Sequence, residues 1–129
     1  IDYKTGAHRL KPIKSIDDIF DPAKLHDHTD YYLQTMLYAR IVRRGQKLPV
    51  APALLFIQHA GTEGYNPVLR LGSDYINDVA TPDGDHFVRR FAEKVYEIFD
   101  PATDFVSTGD LSLCKTCPYA HLCKTSPAQ

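Results

Sequence analysis

The sequence predicts an α/β domain, a mixed sheet flanked by helices. Three observations carry this expectation. Residues 52–57, Pro-Ala-Leu-Leu-Phe-Ile, form a short run with almost no polar interruption, as a buried strand requires. Two longer segments, beginning near Thr29 and Thr81, repeat apolar residues at helical spacing between recognisable start and stop signals. The opening Ile1-Asp2-Tyr3-Lys4-Thr5-Gly6 reads as a strand running into a turn.

Taken in order, the opening strand places Asp2 and Lys4 on one face, because side chains alternate with period two. It begins without an initiator methionine and already in mid-pattern, so the expectation is a fragment that lacks the N-terminal part of its fold. Residues 7–27 hold scattered Lys, Pro and Asp with two short apolar groups and read as a loop with one short helical turn. A helix follows from Thr29, capped by Asp27 or Thr29, with Asp30 in its first turn. Arg40, Arg43 and Arg44 stand near its end, and Gly45 stops it. Leu33, Leu37 and Ile41 mark its expected core face, while Gln34 and Tyr38 share a neighbouring stripe one turn apart.

After the buried strand, Tyr65 to Leu71 is expected as an edge strand that Pro67 weakens. Thr81-Pro82-Asp83 opens a second helix with a cap, a proline and an early acid. Phe87, Phe91, Val95 and Ile98 form its stripe, and the helix is expected to run to about Phe99. A short extended piece at Phe105 precedes a tail that carries all three cysteines, Cys114, Cys117 and Cys123.

Composition narrows the function. With 129 residues the chain suffices for one compact core, and 43% apolar with 24% charged residues is ordinary for a globular domain. The longest apolar stretch, around residues 50–57, is far short of the roughly 20 residues of a membrane span. A cytoplasmic protein without membrane contact is expected. The net charge of −1 offers no overall basic balance, so contact with nucleic acid must come from local patches such as Arg40, Arg43, Arg44 and Lys47. Those cations equally complement the helix dipole.

Chemistry enters at Asp2-Tyr3-Lys4. A carboxylate that can hold Mg²⁺ or Mn²⁺ beside a cation that can position water is what phosphodiester hydrolysis needs. Asp-x-Lys alone also occurs on solvated strand edges. The hexapeptide Ile-Asp-Tyr-Lys-Thr-Gly, however, resembles the second motif of the RecB and AddB nuclease domains, of the PD-(D/E)xK group. Gln34-Thr35-Met36-Leu37-Tyr38 is similar to the Gln-x-x-x-Tyr motif that follows it in that family.

The resemblance implies a restriction-endonuclease-like core over residues 1–129, here partial, and a metal-dependent DNA nuclease. Such a protein would be a bacterial exonuclease, or the nuclease part of a helicase-nuclease in DNA repair and recombination, with a helicase subunit or domain as partner. Asp2 and the Tyr3 carbonyl would be metal ligands and Lys4 would organise the attacking water. Gln34 and Tyr38, with Arg40 and Arg44, would support the site or meet DNA. The family's first metal-binding carboxylate lies upstream of this motif, so these 129 residues alone are expected to cleave poorly.

The tail, residues 110–124, has C-x2-C-x5-C spacing and resembles the end of AddB-type members, in which three such cysteines and a fourth upstream hold a 4Fe-4S cluster. Zinc, with His121 as a fourth ligand, is the alternative, as are reduced cysteines without metal. Two other functional classes stay open: a catalytically silent DNA-binding or scaffold module, and a small zinc-binding interaction domain.

Overall fold

The computed structural model describes residues 1–6, 10–108, 111–115 and 117–123. Strand β1, Asp2–Lys4, pairs in parallel with β2, Leu54–Phe56, in the register Asp2 to Leu54, Tyr3 to Leu55 and Lys4 to Phe56. Between them runs α1, Thr29–Arg44. The hairpin of β3, Arg70–Leu71, and β4, Asp74–Tyr75, follows, then α2, Pro82–Phe99, and the four-residue α3, Leu111–Cys114. Gly72 takes a φ of 61° in the hairpin, a left-handed value that glycine adopts without a Cβ clash. The result is the expected mixed α/β architecture of a restriction-endonuclease-like fold. Residues divide into two compact units, Ile1–Val95 and Tyr96–Gln129.

In the first unit the predicted strand at 52–57 is regular only over Leu54–Phe56, but its pairing extends further. Leu69 N donates to the Pro52 carbonyl at 2.9 Å and Leu54 N to the Pro67 carbonyl at 2.8 Å. An antiparallel bridge joins Ala53 to Val68. The expected edge strand at 65–71 is thus corrected to a few ladder contacts and the two-residue β3. Pro67 has no N–H to give, and takes part only through its carbonyl.

Residues 10–27 are more ordered than a loop. Two 3-10 turns occupy Ile16–Phe20 and Pro22–Asp27. The Asp18 carboxylate accepts from Lys14 N and Ser15 N and pairs with Lys24, whose ammonium holds its acidity stronger than that of an ordinary carboxyl. Asp21 caps Ala23 N at 2.9 Å. Ile16 and Ile19, three apart, are both buried: the period is that of a 3-10 turn, which a search for 3.6-residue repeats passes over.

Helix α1 has the predicted bounds but a different cap and a rotated face. The residue before it is His28, at φ 61°, with no side-chain cap, while Asp27 is drawn to Lys11 at 2.6 Å. The fully buried positions are Thr29, Tyr32, Thr35, Met36 and Ala39 rather than Leu33, Leu37 and Ile41. Leu33 and Leu37 flank the core and Ile41 is 60% exposed. Tyr32 can go inside because its hydroxyl donates to the Arg70 carbonyl at 3.0 Å, and burial raises the phenol's pKa. The core is completed by Ile13, Leu54, Phe56, Leu69, Val79 and Phe87.

Helix α2 begins at the predicted proline, with Thr81 Oγ1 accepting from Gly84 N at 3.3 Å. Gly84 lies so close to the preceding chain that a Cβ there would sit 1.8 Å from the Val79 carbonyl oxygen. Arg40 fastens α1 to this corner, donating to the same carbonyl at 2.7 Å and to Asp85 at 3.0 Å. Asp78 closes the adjoining loop. Its carboxylate accepts from Val50 N at 3.1 Å, Ala80 N at 3.2 Å and Arg43 Nε at 3.1 Å.

In the second unit, Asp100 accepts from Ala102 N and Thr103 Oγ1, and no regular element spans 104–108. Beyond α3, Cys117 N donates to the Cys114 carbonyl at 3.3 Å and Cys123 N to the Tyr119 carbonyl at 3.3 Å.

Two outcomes are expected. Gly84→Ala in an exposed helix would stabilise by about 1 kcal/mol. Here it should destabilise by about 1–3 kcal/mol in urea unfolding, because backbone must move to admit the methyl. Asp78 has a depressed pKa, mainly from the Val50 N–H. Its contribution to stability is therefore complete above the unfolded carboxyl pKa of 3.8 and fades as pH falls through the lower folded value. Asp78→Asn should lower the melting temperature at pH 7, and the gap to wild type should shrink below about pH 4.

Candidate active site

Period-two alternation on β1 turns Asp2 and Lys4 inward and leaves Tyr3 63% exposed. Lys4 Nζ lies 3.0 Å from Asp2 Oδ2, with both side chains about one-quarter exposed. The ammonium also donates to Gln34 Oε1 at 3.0 Å. Asp2 Oδ2 is in charge contact with the ammonium, makes no aligned hydrogen bond among the described residues, and is shielded from solvent. Asp2 Oδ1 accepts from Tyr3 N at 3.0 Å.

Gln34 and Tyr38 are one helical turn apart on α1, so their side chains meet: Gln34 Nε2 donates to the Tyr38 hydroxyl oxygen at 3.2 Å. With its oxygen toward the ammonium and its NH₂ toward the phenol, the amide joins strand to helix. Tyr31 completes the arrangement. Its ring centroid lies 4.8 Å from Lys4 Nζ, a cation–π contact, and His28 stacks on that ring with centroids 5.0 Å apart. Tyr31 was not singled out in the sequence, though its position three residues before Gln34 puts it on the same side of the helix. Lys4 is thus held by a carboxylate, an amide oxygen and an aromatic face. A pair this exposed contributes less than about 1 kcal/mol to stability, so its consequence is position rather than strength.

Other sequence candidates lie elsewhere. Arg40 is about 200° round the helix from Tyr38 and is engaged with Val79 and Asp85. Arg44 is exposed in the last turn. Apart from these candidates, His86 near the start of α2 faces Asp17 of the first 3-10 turn at 3.2 Å. Lys4 Nζ, Gln34 and Tyr38 therefore gather with Asp2, and the two arginines do not gather with them.

Among the described residues, no three His, Cys, Asp or Glu side chains converge on a common point. For a hard divalent ion the fit rests on Asp2: a shielded carboxylate oxygen without a hydrogen bond suits Mg²⁺, which binds through one or two carboxylates and keeps water and substrate phosphate as its other ligands. The three thiols form no disulfide, and among the described residues no group of three metal-ligating side chains includes them. Among the described residues no helix is long and apolar enough to cross a membrane.

An α/β core that presents Asp-x-Lys on a strand, backed by polar groups from the crossover helix, defines the class of metal-dependent phosphodiester hydrolases built on the restriction-endonuclease plan. The chain belongs to the PD-(D/E)XK nuclease superfamily, whose family profile it matches over residues 1–124. Members are usually nucleases and generally use divalent metal ions on DNA. No curated protein and no solved structure matches the chain.

The amide bridge is measurable. In a double-mutant cycle of Lys4→Met and Gln34→Leu, urea unfolding should give a coupling of about 1 kcal/mol, as for a partly buried hydrogen bond from a charged donor. Additive effects would mean that the two side chains do not meet.

Proposed function

We propose that this protein is a RecB- or AddB-like DNA nuclease, Mg²⁺- or Mn²⁺-dependent, acting as an exonuclease or within a helicase-nuclease in DNA repair and recombination. The single observation that carries this reading is the contact series Asp2, Lys4, Gln34, Tyr38, in which an Asp-x-Lys strand and a Gln-x-x-x-Tyr helix meet at 3.0–3.2 Å.

Asp2, with the Tyr3 carbonyl, would hold the metal, which when bound supplies Lewis acidity toward the scissile phosphate and acidifies water. Lys4 orients the attacking water toward phosphorus. Gln34 fixes the ammonium and Tyr31 limits its swing, so the positioning is set before substrate arrives. Tyr38, half exposed at the rim, offers a hydroxyl to a phosphate oxygen, and Arg44 offers a cation. Arg40, on another side of α1 and bonded to Val79 and Asp85, lies away from this surface. In the tail, Cys114, Cys117 and Cys123 are read as ligands of a 4Fe-4S cluster, with zinc second. Their spacing and the turn from Cys114 to Cys117 support this, and elemental analysis of iron and zinc tests it.

In the intact protein, Asp2→Ala and Lys4→Ala should each lower Mg²⁺-dependent cleavage of linear DNA by about 100-fold or more, with circular dichroism unchanged. Asp2 is the only carboxylate that the described contacts join to Lys4, so residues 1–129 by themselves should cut slowly. Cleavage that persists in Asp2→Ala, or needs no divalent ion, would overturn the reading, and DNA binding that is insensitive to Asp2→Ala with no cleavage at all would favour a silent DNA-binding module.

A further inference from the structure

Among the described residues His28 is the one non-glycine residue at positive φ, 61° with ψ 40°. It stands where the turn Pro22–Asp27 ends and α1 begins, and both of its backbone groups serve that corner. His28 N donates to the Leu25 carbonyl at 3.0 Å, and its own carbonyl accepts from Tyr31 N at 3.1 Å. The left-handed region crowds any Cβ, and glycine is the residue that enters it freely. The His28 side chain does not offset this by capping α1. A ring kept on an unfavourable backbone points to a use for the ring.

That ring lies on Tyr31, with centroids 5.0 Å apart and planes inclined by only 14°. Tyr31 is in turn the aromatic face over which Lys4 Nζ sits, 4.8 Å from the centroid. A second neighbour, Phe56, is 6.3 Å away at 50°, and Phe56 is the β2 residue in register with Lys4. Cation–π attraction acts over the face of a ring, so Tyr31 steadies the ammonium only while its plane is held. Tyr31 is partly exposed, and a tilted contact with Phe56 alone leaves its ring free to turn toward solvent. His28 is the parallel neighbour.

We propose that His28 is a positioning residue, whose ring keeps Tyr31 turned beneath Lys4 and so sets the ammonium before DNA arrives. This rests on the nuclease reading, in which Lys4 orients the attacking water, and it adds a residue that acts only through Tyr31. Stacking of this kind needs a flat ring rather than a charge. Phenylalanine at position 28 would therefore serve, whereas glycine and asparagine, which also enter the left-handed region, would not. Position is gained here at the expense of local backbone stability, an exchange that is common near active sites.

The test uses the intact protein with His28→Gly, His28→Asn and His28→Phe. The glycine and asparagine variants should keep a urea midpoint close to that of wild type, because an eased backbone offsets the lost stack. Their Mg²⁺-dependent cleavage of linear DNA should nevertheless lose about tenfold in kcat with KM within about twofold, and His28→Phe should recover to within about threefold of wild type. Full kcat in the glycine and asparagine variants, or a loss in His28→Phe as large as theirs, overturns the proposal. So does unfolding of both, seen by circular dichroism, since the ring would then be structural. A readout without cleavage is the proton resonances of the Lys4 ε-methylene, displaced by the Tyr31 ring current. They should move toward free-lysine values in His28→Gly and stay in His28→Phe, and unmoved resonances in His28→Gly overturn the proposal. The nuclease reading fails separately: a wild type that cuts no DNA with Mg²⁺, while these resonances move as stated, keeps the packing of His28, Tyr31 and Lys4 and removes the nuclease.

Discussion

The parallel pairing of Asp2–Lys4 with Leu54–Phe56 is the constraint from which the candidate site follows. Parallel neighbours cannot be joined by a hairpin, so the chain between them must cross the sheet, and here it does so through α1. A crossover helix buries its apolar side against the strands it connects. Tyr32, Met36 and Ala39 take that side with Leu54 and Phe56. The stripe beside it, Tyr31, Gln34 and Tyr38, is thereby carried over the edge of β1, where Asp2 and Lys4 project. One pairing register thus determines which polar groups can meet. A slip by one residue would turn Asp2 and Lys4 away and bring Tyr3 in their place.

The energies involved in the cluster are small, and that is consistent with a site rather than a stabilising core. Lys4 is a quarter exposed and makes three contacts of different kinds, none of which alone would fix a long flexible side chain. Together they leave it one position. Stability is concentrated elsewhere: in Phe87 and Val79, which are completely buried, in Gly84 against the Val79 carbonyl, and in the Arg40 and Asp78 contacts that clamp the loop before α2. The strand-edge site can therefore tolerate a carboxylate oxygen left without a hydrogen bond.

Much of this could be read in the sequence where the signal is local. Gly45 and the Thr81-Pro82-Asp83 start marked the helix ends because caps act through neighbouring backbone. Period two put Asp2 and Lys4 together for the same reason. The core face of α1 could not be read this way: Leu33, Leu37 and Ile41 are the more apolar series, but Tyr32 became buried because a distant carbonyl, that of Arg70, accepts its hydroxyl proton. Arg40 looked like a phosphate ligand by charge and place, and its attachment to Val79 and Asp85 depends on residues 39 and 45 positions away. The place of Tyr31 under Lys4 is likewise a product of packing between strand and helix. The cysteine spacing was plain in the sequence, whereas convergence of the thiols is a tertiary property that the described residues do not display.

A divalent ion at Asp2 is the central claim, and paramagnetic relaxation by Mn²⁺ tests it most directly. Substoichiometric Mn²⁺ added to isotope-labelled protein should broaden the amide signals of Asp2 to Lys4 and the side-chain NH₂ of Gln34 before all others, and Asp2→Ala should abolish that pattern. Broadening centred on another carboxylate, such as Asp17 beside His86, or a pattern unchanged in Asp2→Ala, would contradict a metal site on this strand.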